Sequence, residues 1–257
     1  MKNLSNYKSI LNENHALPLY YQLELIIQNY LDVAGIEKGT EFFSEEEISE
    51  QLGISRPTIN KAIKSLIKKG YLVRNRGKRP VVDKPKNISL VFMEELLSFG
   101  EMIKKQNSSY KSKTVLISRK VIKPTRKIVE SINLNEDDDV IFLKRLRYVN
   151  NDPIIIVDSY LSYSKYHKLM EISLEEFKKD LYSLLKELFG VLVGRSNREV
   201  TASRLTLEDA ALLNVEIWEP CLRLFAIAYD KEGEPFEYFD SRFKGDNCIL
   251  RTSLIKK

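Results

Sequence analysis

Ser44-Glu45-Glu46-Glu47-Ile48-Ser49-Glu50-Gln51-Leu52-Gly53-Ile54-Ser55-Arg56-Pro57-Thr58-Ile59-Asn60-Lys61-Ala62-Ile63-Lys64 decides the first part of the fold. Ser44 with Glu47 three residues on forms a capping box, in which the hydroxyl and the carboxylate each satisfy the other residue's free backbone N–H. The spacing predicts a short helix to Leu52, a turn at Gly53, and a second helix capped by Ser55 that runs to Lys69 before Gly70 ends it. In that second helix Ile59, Ala62, Ile63, Leu66 and Ile67 share one face, so Arg56, Asn60, Lys61, Lys64 and Lys68 occupy the opposite one. Upstream, Leu19, Leu23, Ile26, Ile27, Tyr30 and Leu31 recur at helical spacing between Pro18 and Val33, with Gly35 as the stop. Downstream, Tyr71-Leu72-Val73 and Pro80-Val81-Val82 flank the basic tip Arg74-Asn75-Arg76-Gly77-Lys78-Arg79, which reads as a two-stranded wing.

Charge is distributed sharply along this segment. Arg56 to Lys86 holds eleven basic residues and one acid, Asp83, whereas Glu37 to Glu50 holds six acids and one lysine. A positive field on the second helix and wing is the footprint of a surface that contacts nucleic-acid phosphates, so double-stranded DNA is the expected partner. An arginine in the first helical turn can pair bidentately with guanine and an asparagine with adenine, while lysines further along neutralise phosphates. Base reading is therefore expected at Ser55, Arg56, Thr58 and Asn60, and backbone contact at Lys61, Lys64, Arg74, Arg76, Gly77, Lys78 and Arg79.

The chain has 257 residues, 43% of them apolar, which favours two domains over one. Residues 1–16 are polar and rich in asparagine and are expected to form a flexible arm. The winged helix-turn-helix then spans 17–82, a charged proline-containing linker spans 83–87, and a second domain spans 88–257. In the second domain helical patterns at 90–106, 125–133, 174–189 and 206–214 are separated by strand-like runs. Those runs fall at 113–122, 139–149, 153–161, 192–204, 220–230, 235–244 and 248–255. The fold class expected is α+β, with an antiparallel sheet and helices in the C-terminal domain. No apolar run is long enough to span a bilayer and the N-terminus lacks a signal-like core, so no membrane contact and a cytoplasmic location are expected. Cys221 and Cys248 are read as buried reduced thiols. His15 and His167 belong to no recognisable triad or metal set, and no cofactor, metal or catalytic residue is expected.

The second domain offers one constellation. Period two places Arg145 and Arg147 on one strand face, about 7 Å apart, where two guanidinium groups can share an anion. The alternative is an exposed face whose arginines pair with neighbouring carboxylates.

Pro18-Leu19-Tyr20-Tyr21-Gln22-Leu23 and the capping-box-to-helix stretch resemble the winged domain of the GntR family of bacterial regulators. Glu46 stands where that family often carries an arginine, Asn60 replaces another arginine, and Arg79 replaces a wing glycine. The rest of the chain resembles the UTRA effector domain of the family's HutC-type branch. That likeness rests on Lys144-Arg145-Leu146-Arg147-Tyr148, Asp152-Pro153, Leu181-Tyr182-Ser183-Leu184-Leu185, Gly233-Glu234-Pro235-Phe236-Glu237-Tyr238 and Arg242-Phe243-Lys244-Gly245-Asp246. The resemblance implies a chorismate lyase-like fold used for sensing, in a homodimeric repressor that binds a pseudo-palindromic operator and answers a small anionic effector. It also implies an effector site at Arg145, Arg147, Asp158, Asp180, Tyr182, Glu237 and Phe243, the arginines holding phosphate and Asp158 and Glu237 holding sugar hydroxyls. Asp180 stands where such sensors often carry a phosphate-binding serine, and Phe243 where they carry a tyrosine, which leaves other anionic or amphoteric metabolites open. An enzyme on the same fold, and an architectural DNA binder whose second domain only dimerises, are the rival readings.

Overall fold

Helix α1 (Leu19–Val33) packs against α3 (Arg56–Lys68), and α2 (Glu45–Leu52) packs against α3 as well. The computed structural model of the protein describes residues 3–74, 78–83, 99–106 and 109–245. It divides the chain into two compact units, Met1–Asn87 and Ile88–Lys257.

In the first unit both halves of the capping box form, Ser44 Oγ accepting from Glu47 N (3.2 Å) and Glu47 Oε2 accepting from Ser44 N (2.8 Å). Gly53 closes α2 with φ +73°, a left-handed conformation that glycine adopts at least cost. The core of this unit buries Leu23, Ile27, Leu31, Phe42, Ile48, Ile59, Ile63 and Leu66. Strands β1 (Leu72–Val73) and β2 (Val81–Val82) pair antiparallel as the base of the wing, and Glu41 bridges Val81 on the far side. The expected flexible arm is corrected: Ser5–Ile10 is a 3-10 helix, Leu4 is fully buried, its N–H donates to Gln51 Oε1 (2.7 Å), and Tyr7 stacks edge-on against Tyr30. Polar composition concealed two apolar anchors, Leu4 and Tyr7, that hold this segment on α2 and α1.

The second unit is a six-stranded antiparallel sheet in the order β3-β4-β5-β8-β7-β6, made of two three-stranded meanders joined along β5 and β8. The strands are β3 (Ser112–Ile122), β4 (Val140–Val149), β5 (Asp152–Ser162), β6 (Val193–Ser203), β7 (Cys221–Asp230) and β8 (Pro235–Lys244). Helix α4 (Phe99–Gln106) packs on one face over Val149, Ile155, Val157, Leu224 and Phe243. Helices α5 (Arg126–Ser131), α6 (Tyr163–Tyr166), α7 (Leu181–Phe189) and α8 (Leu207–Leu213) complete the unit. Helix α7 joins α4 on the first face, over Ile141, Leu143, Leu161 and Ala228. The opposite face is covered by α8 over Leu146, Ile156 and Cys221, and by α5 over Val140 and Tyr238. The expected helix over 174–189 is split, because Asp180 is an N-cap: its side chain accepts from Tyr182 N, and only a 3-10 turn at Glu176–Lys178 precedes it. The α6 turn and the 3-10 turn after it, His167–Met170, had no sequence signal of their own. Residues 84–98, including most of the linker and the start of the expected 90–106 helix, the 248–255 strand and Cys248 lie outside the described residues. Among the described residues no helix is long and apolar enough to cross a membrane.

Candidate nucleic-acid interface and effector site

The first turn of α3 begins at Ser55, whose hydroxyl hydrogen-bonds Thr58 Oγ1 (2.8 Å) instead of capping the helix. Arg56, Lys61 and Lys64 are exposed along the helix, with Asn60 half-buried beside them. The Lys61 ammonium lies 3.7 Å from the centre of the Tyr20 ring, which fixes its stem against α1. Arg74 reaches Lys78 O through Nε (3.3 Å), so the base of the wing is closed by its own basic residues. Arg76 and Gly77 lie outside the described residues.

The acidic first turn of α2 lies against this basic surface, a juxtaposition that spacing alone did not reveal. Arg56 Nη2 donates to Glu46 Oε1 (2.8 Å), and Arg79 Nη2 to Glu47 Oε1 (2.9 Å). Glu45 Oε1 accepts from both Arg74 Nη1 (2.6 Å) and Asn60 Nδ2 (3.0 Å), tying wing to helix. The backbone N–H of Ser44, with Arg79 beside it, holds the Glu47 carboxyl below the usual carboxylate range.

In the second unit Arg145 and Arg147 share the sheet face covered by α4 and α7. Arg145 is buried, donating to Ser159 Oγ (2.6 Å) and standing 3.5 Å from Glu237 Oε1. Arg147 lies under α4, its guanidinium 5.1 Å from the centre of the Phe99 ring. Burial, with Arg145 adding repulsion, pushes Arg147 down to about 10, so it stays protonated at neutral pH. Burial raises Glu237 against the pull of Arg145 and hydrogen bonds from Ser159 and Tyr182, and the Tyr182 phenol is raised by the same burial and by Glu237. Asp180 is near enough to support the charge on Arg147 while capping α7. Arg145 Nε, Arg147 Nε and Glu237 Oε2 are buried without a hydrogen-bond partner among the described residues. Two donors and one acceptor, converging from two strands and unpaired, are what a polar ligand with an anionic end and a hydroxyl or ammonium end would satisfy.

Five of the seven expected effector residues therefore cluster: Arg145, Arg147, Asp180, Tyr182 and Glu237. Ser159 and Arg198 join them. Arg198 is a half-buried guanidinium on β6, lowered by burial and attracted by Tyr182. Ser159 could have been found by parity, as the polar residue on the inward side of β5; Arg198 carried no local signal.

Asp158 is a correction. The β4–β5 register pairs it with Lys144, and side chains of directly opposed residues share a face, so Asp158 lies on the far side of the sheet from the arginines. There it accepts from Arg242 Nη2 (2.8 Å), within a network in which Arg242 also reaches Asp209 (3.2 Å) and Asp240 (3.6 Å). Phe243 is on the arginines' face but buried among Phe99, Ile155 and Leu224, where it forms core rather than a polar contact.

The model of the bacterial regulatory proteins of the gntR family matches residues 20–82, and that of the UTRA domain residues 107–248. The HTH-type transcriptional repressor NagR of Bacillus subtilis is 26% identical over 236 residues, covering 92% of this chain and 94% of that protein. A probable fructoselysine utilization operon transcriptional repressor of Shigella flexneri is 29% identical over 200 residues, covering 77% of this chain and 79% of that protein. Among solved structures, PhnF of Mycobacterium smegmatis is similar with TM-score 0.62 at 22% identity, over 91% of this chain and 99% of that one. Such a likeness speaks for the fold.

Proposed function

This chain belongs to the GntR family of bacterial regulatory proteins and carries a UTRA domain, and from that premise we propose that it is a dimeric transcriptional repressor released from its operator by a small anionic metabolite. Helix α3 enters the major groove, with Arg56 and Asn60 at base edges and Lys61, Lys64 and the wing on phosphates. Two copies related by a two-fold axis read a pseudo-palindromic site, since one winged domain covers only a few base pairs.

The observation that carries the effector reading is the buried set Arg145 Nε, Arg147 Nε and Glu237 Oε2, each without a partner among the described residues. The arginines hold the anionic end and Glu237 accepts from a hydroxyl. A sugar phosphate is the first class to test, and a relative named for fructoselysine utilisation keeps sugar-derived ligands foremost. Asp180 beside Arg147 adds a negative charge at the anionic end, so sugar acids with a single charge are the class to set against the largely dianionic sugar phosphates. Sites are selected from random duplexes by the purified chain and footprinted, and sugar phosphates, sugar acids and amino-sugar conjugates are then screened for release of the selected duplex. Two related half-sites and release by one anionic class are the expected result. A single half-site speaks against the dimer, and a thermal midpoint unmoved by every class speaks for an architectural binder instead.

A further inference from the structure

Every described arginine of the DNA-reading set ends on one of three consecutive glutamates: Arg56 on Glu46, Arg74 on Glu45, Arg79 on Glu47. The Glu45 and Glu47 pairs serve architecture as well, joining wing to helix and closing the α2 cap. The Glu46 pair has no such duty. Both its side chains are about two-thirds exposed, 67% for Arg56 and 69% for Glu46, and they stand where α2 and α3 meet at the start of the reading helix.

We propose that Glu46 is a specificity-determining residue for DNA binding, acting as a clamp that holds Arg56 for a base edge and withholds it from phosphates. This rests on the reading of α3 as the groove helix. The contact uses one of the five N–H donors of the guanidinium, so the others remain available while Glu46 stays in place. A guanine edge offers two acceptors to those donors without displacing the carboxylate. A backbone phosphate instead places its negative charge beside Glu46, and exchanging one anion for another gains Arg56 little. The clamp therefore penalises sequence-independent contacts more than the cognate one, and it also fixes the direction from which Arg56 approaches the base.

The test measures affinities of wild type, Glu46→Gln, Arg56→Ala and the double variant for a duplex selected by the wild-type chain and for its scrambled counterpart, across a salt series. Glu46→Gln is expected to bind the scrambled duplex about two- to fivefold more tightly, with a steeper salt dependence and a smaller gain, or a loss, on the selected duplex. In the Arg56→Ala background the same change is expected to leave the ratio of the two affinities unaltered. An equal gain on both duplexes, no gain, or an effect that persists without Arg56 would overturn the clamp, the last by making Glu46 act alone on bases or phosphates. If the wild-type chain selects no sequence, the reading of α3 fails and the clamp with it. Selection with an unchanged Glu46→Gln ratio sinks the clamp only.

Discussion

Arg145 and Arg147 differ in what their removal exposes. Arg145 neutralises Glu237, so Arg145→Ala leaves a buried carboxylate unpaired, at a cost of roughly 3–5 kcal/mol. Among the described residues Arg147 has its ring contact with Phe99 and no ion pair of its own, which makes Arg147→Ala the cleaner probe. Loss of one charge-assisted contact of about 1.5–3 kcal/mol should weaken effector binding by one to two orders of magnitude. Arg147→Ala is expected to bind operator as wild type does while failing to release it with effector, as read by gel shift with and without ligand. A mutant that still responds normally would move the site elsewhere. Arg145→Ala should show its instability in a pH-dependent way. A carboxyl whose folded pKa is raised contributes stability present below its unfolded value and lost as pH rises through the folded one. Burial already raises Glu237, and removing Arg145 raises it further, so the variant's deficit in thermal midpoint should shrink as pH falls from neutral toward the ordinary carboxylate range. A deficit constant across that range would mean Glu237 is not left charged in the fold.

At the scale of elements, α2 depends on its capping box. Ser44→Ala removes the hydroxyl that accepts from Glu47 N and should cost about 1 kcal/mol in denaturant unfolding. Glu47 behaves oppositely to Glu237: its folded pKa is depressed, so its contribution is present above the unfolded pKa and is lost as pH falls through the folded one. Glu47→Gln is therefore expected to destabilise at neutral pH and to match wild type in acid, and a difference that survives acidification would deny the charge its role. On the far face of the sheet, Asp158 helps attach Arg242 beneath α8, with Asp209 of that helix as the other partner. Asp158→Ala should cost roughly 1–3 kcal/mol of stability, less than breaking an isolated pair, because Asp209 and Asp240 remain on Arg242. Its effector affinity should equal that of wild type. A changed effector preference in this variant would return Asp158 to the site.

For the whole molecule, the proposed sensing and reading surfaces lie in separate compact units, so their failures should separate as well. An effector at 100 times its dissociation constant adds roughly 2.7 kcal/mol to the unit that binds it. In the proposed dimer it would release DNA only by preferring the arrangement that cannot bind, and moving a population from about 1:99 to 99:1 takes roughly 5.5 kcal/mol of differential affinity. Two sites acting together each supply half. Hence a heterodimer of one wild-type and one Arg147→Ala chain should respond partially, as measured by operator release against effector concentration. A full wild-type response from the heterodimer would mean that one site suffices.

The winged unit was legible in the chain because its signals are local. A capping box, a left-handed glycine and a 3.6-residue apolar period each act within a few residues, and together they specify α2, the turn and α3 with little reference to the rest of the protein. Strand parity likewise placed Arg145 and Arg147 on one face, because alternation belongs to the strand itself. Parity within a strand does not say which partner residue stands opposite, and that is where tertiary structure decided. The β4–β5 register, Lys144 against Asp158, carried one expected effector residue to the far face, since a one-residue change in pairing exchanges every side chain between faces. Packing also brought Ser159, Tyr182, Arg198 and Glu237 to the arginines from β5, α7, β6 and β8, and laid three glutamates of α2 against the basic residues of α3 and the wing. Those neighbours are far apart in sequence, and only the burial of a shared core fixes them side by side.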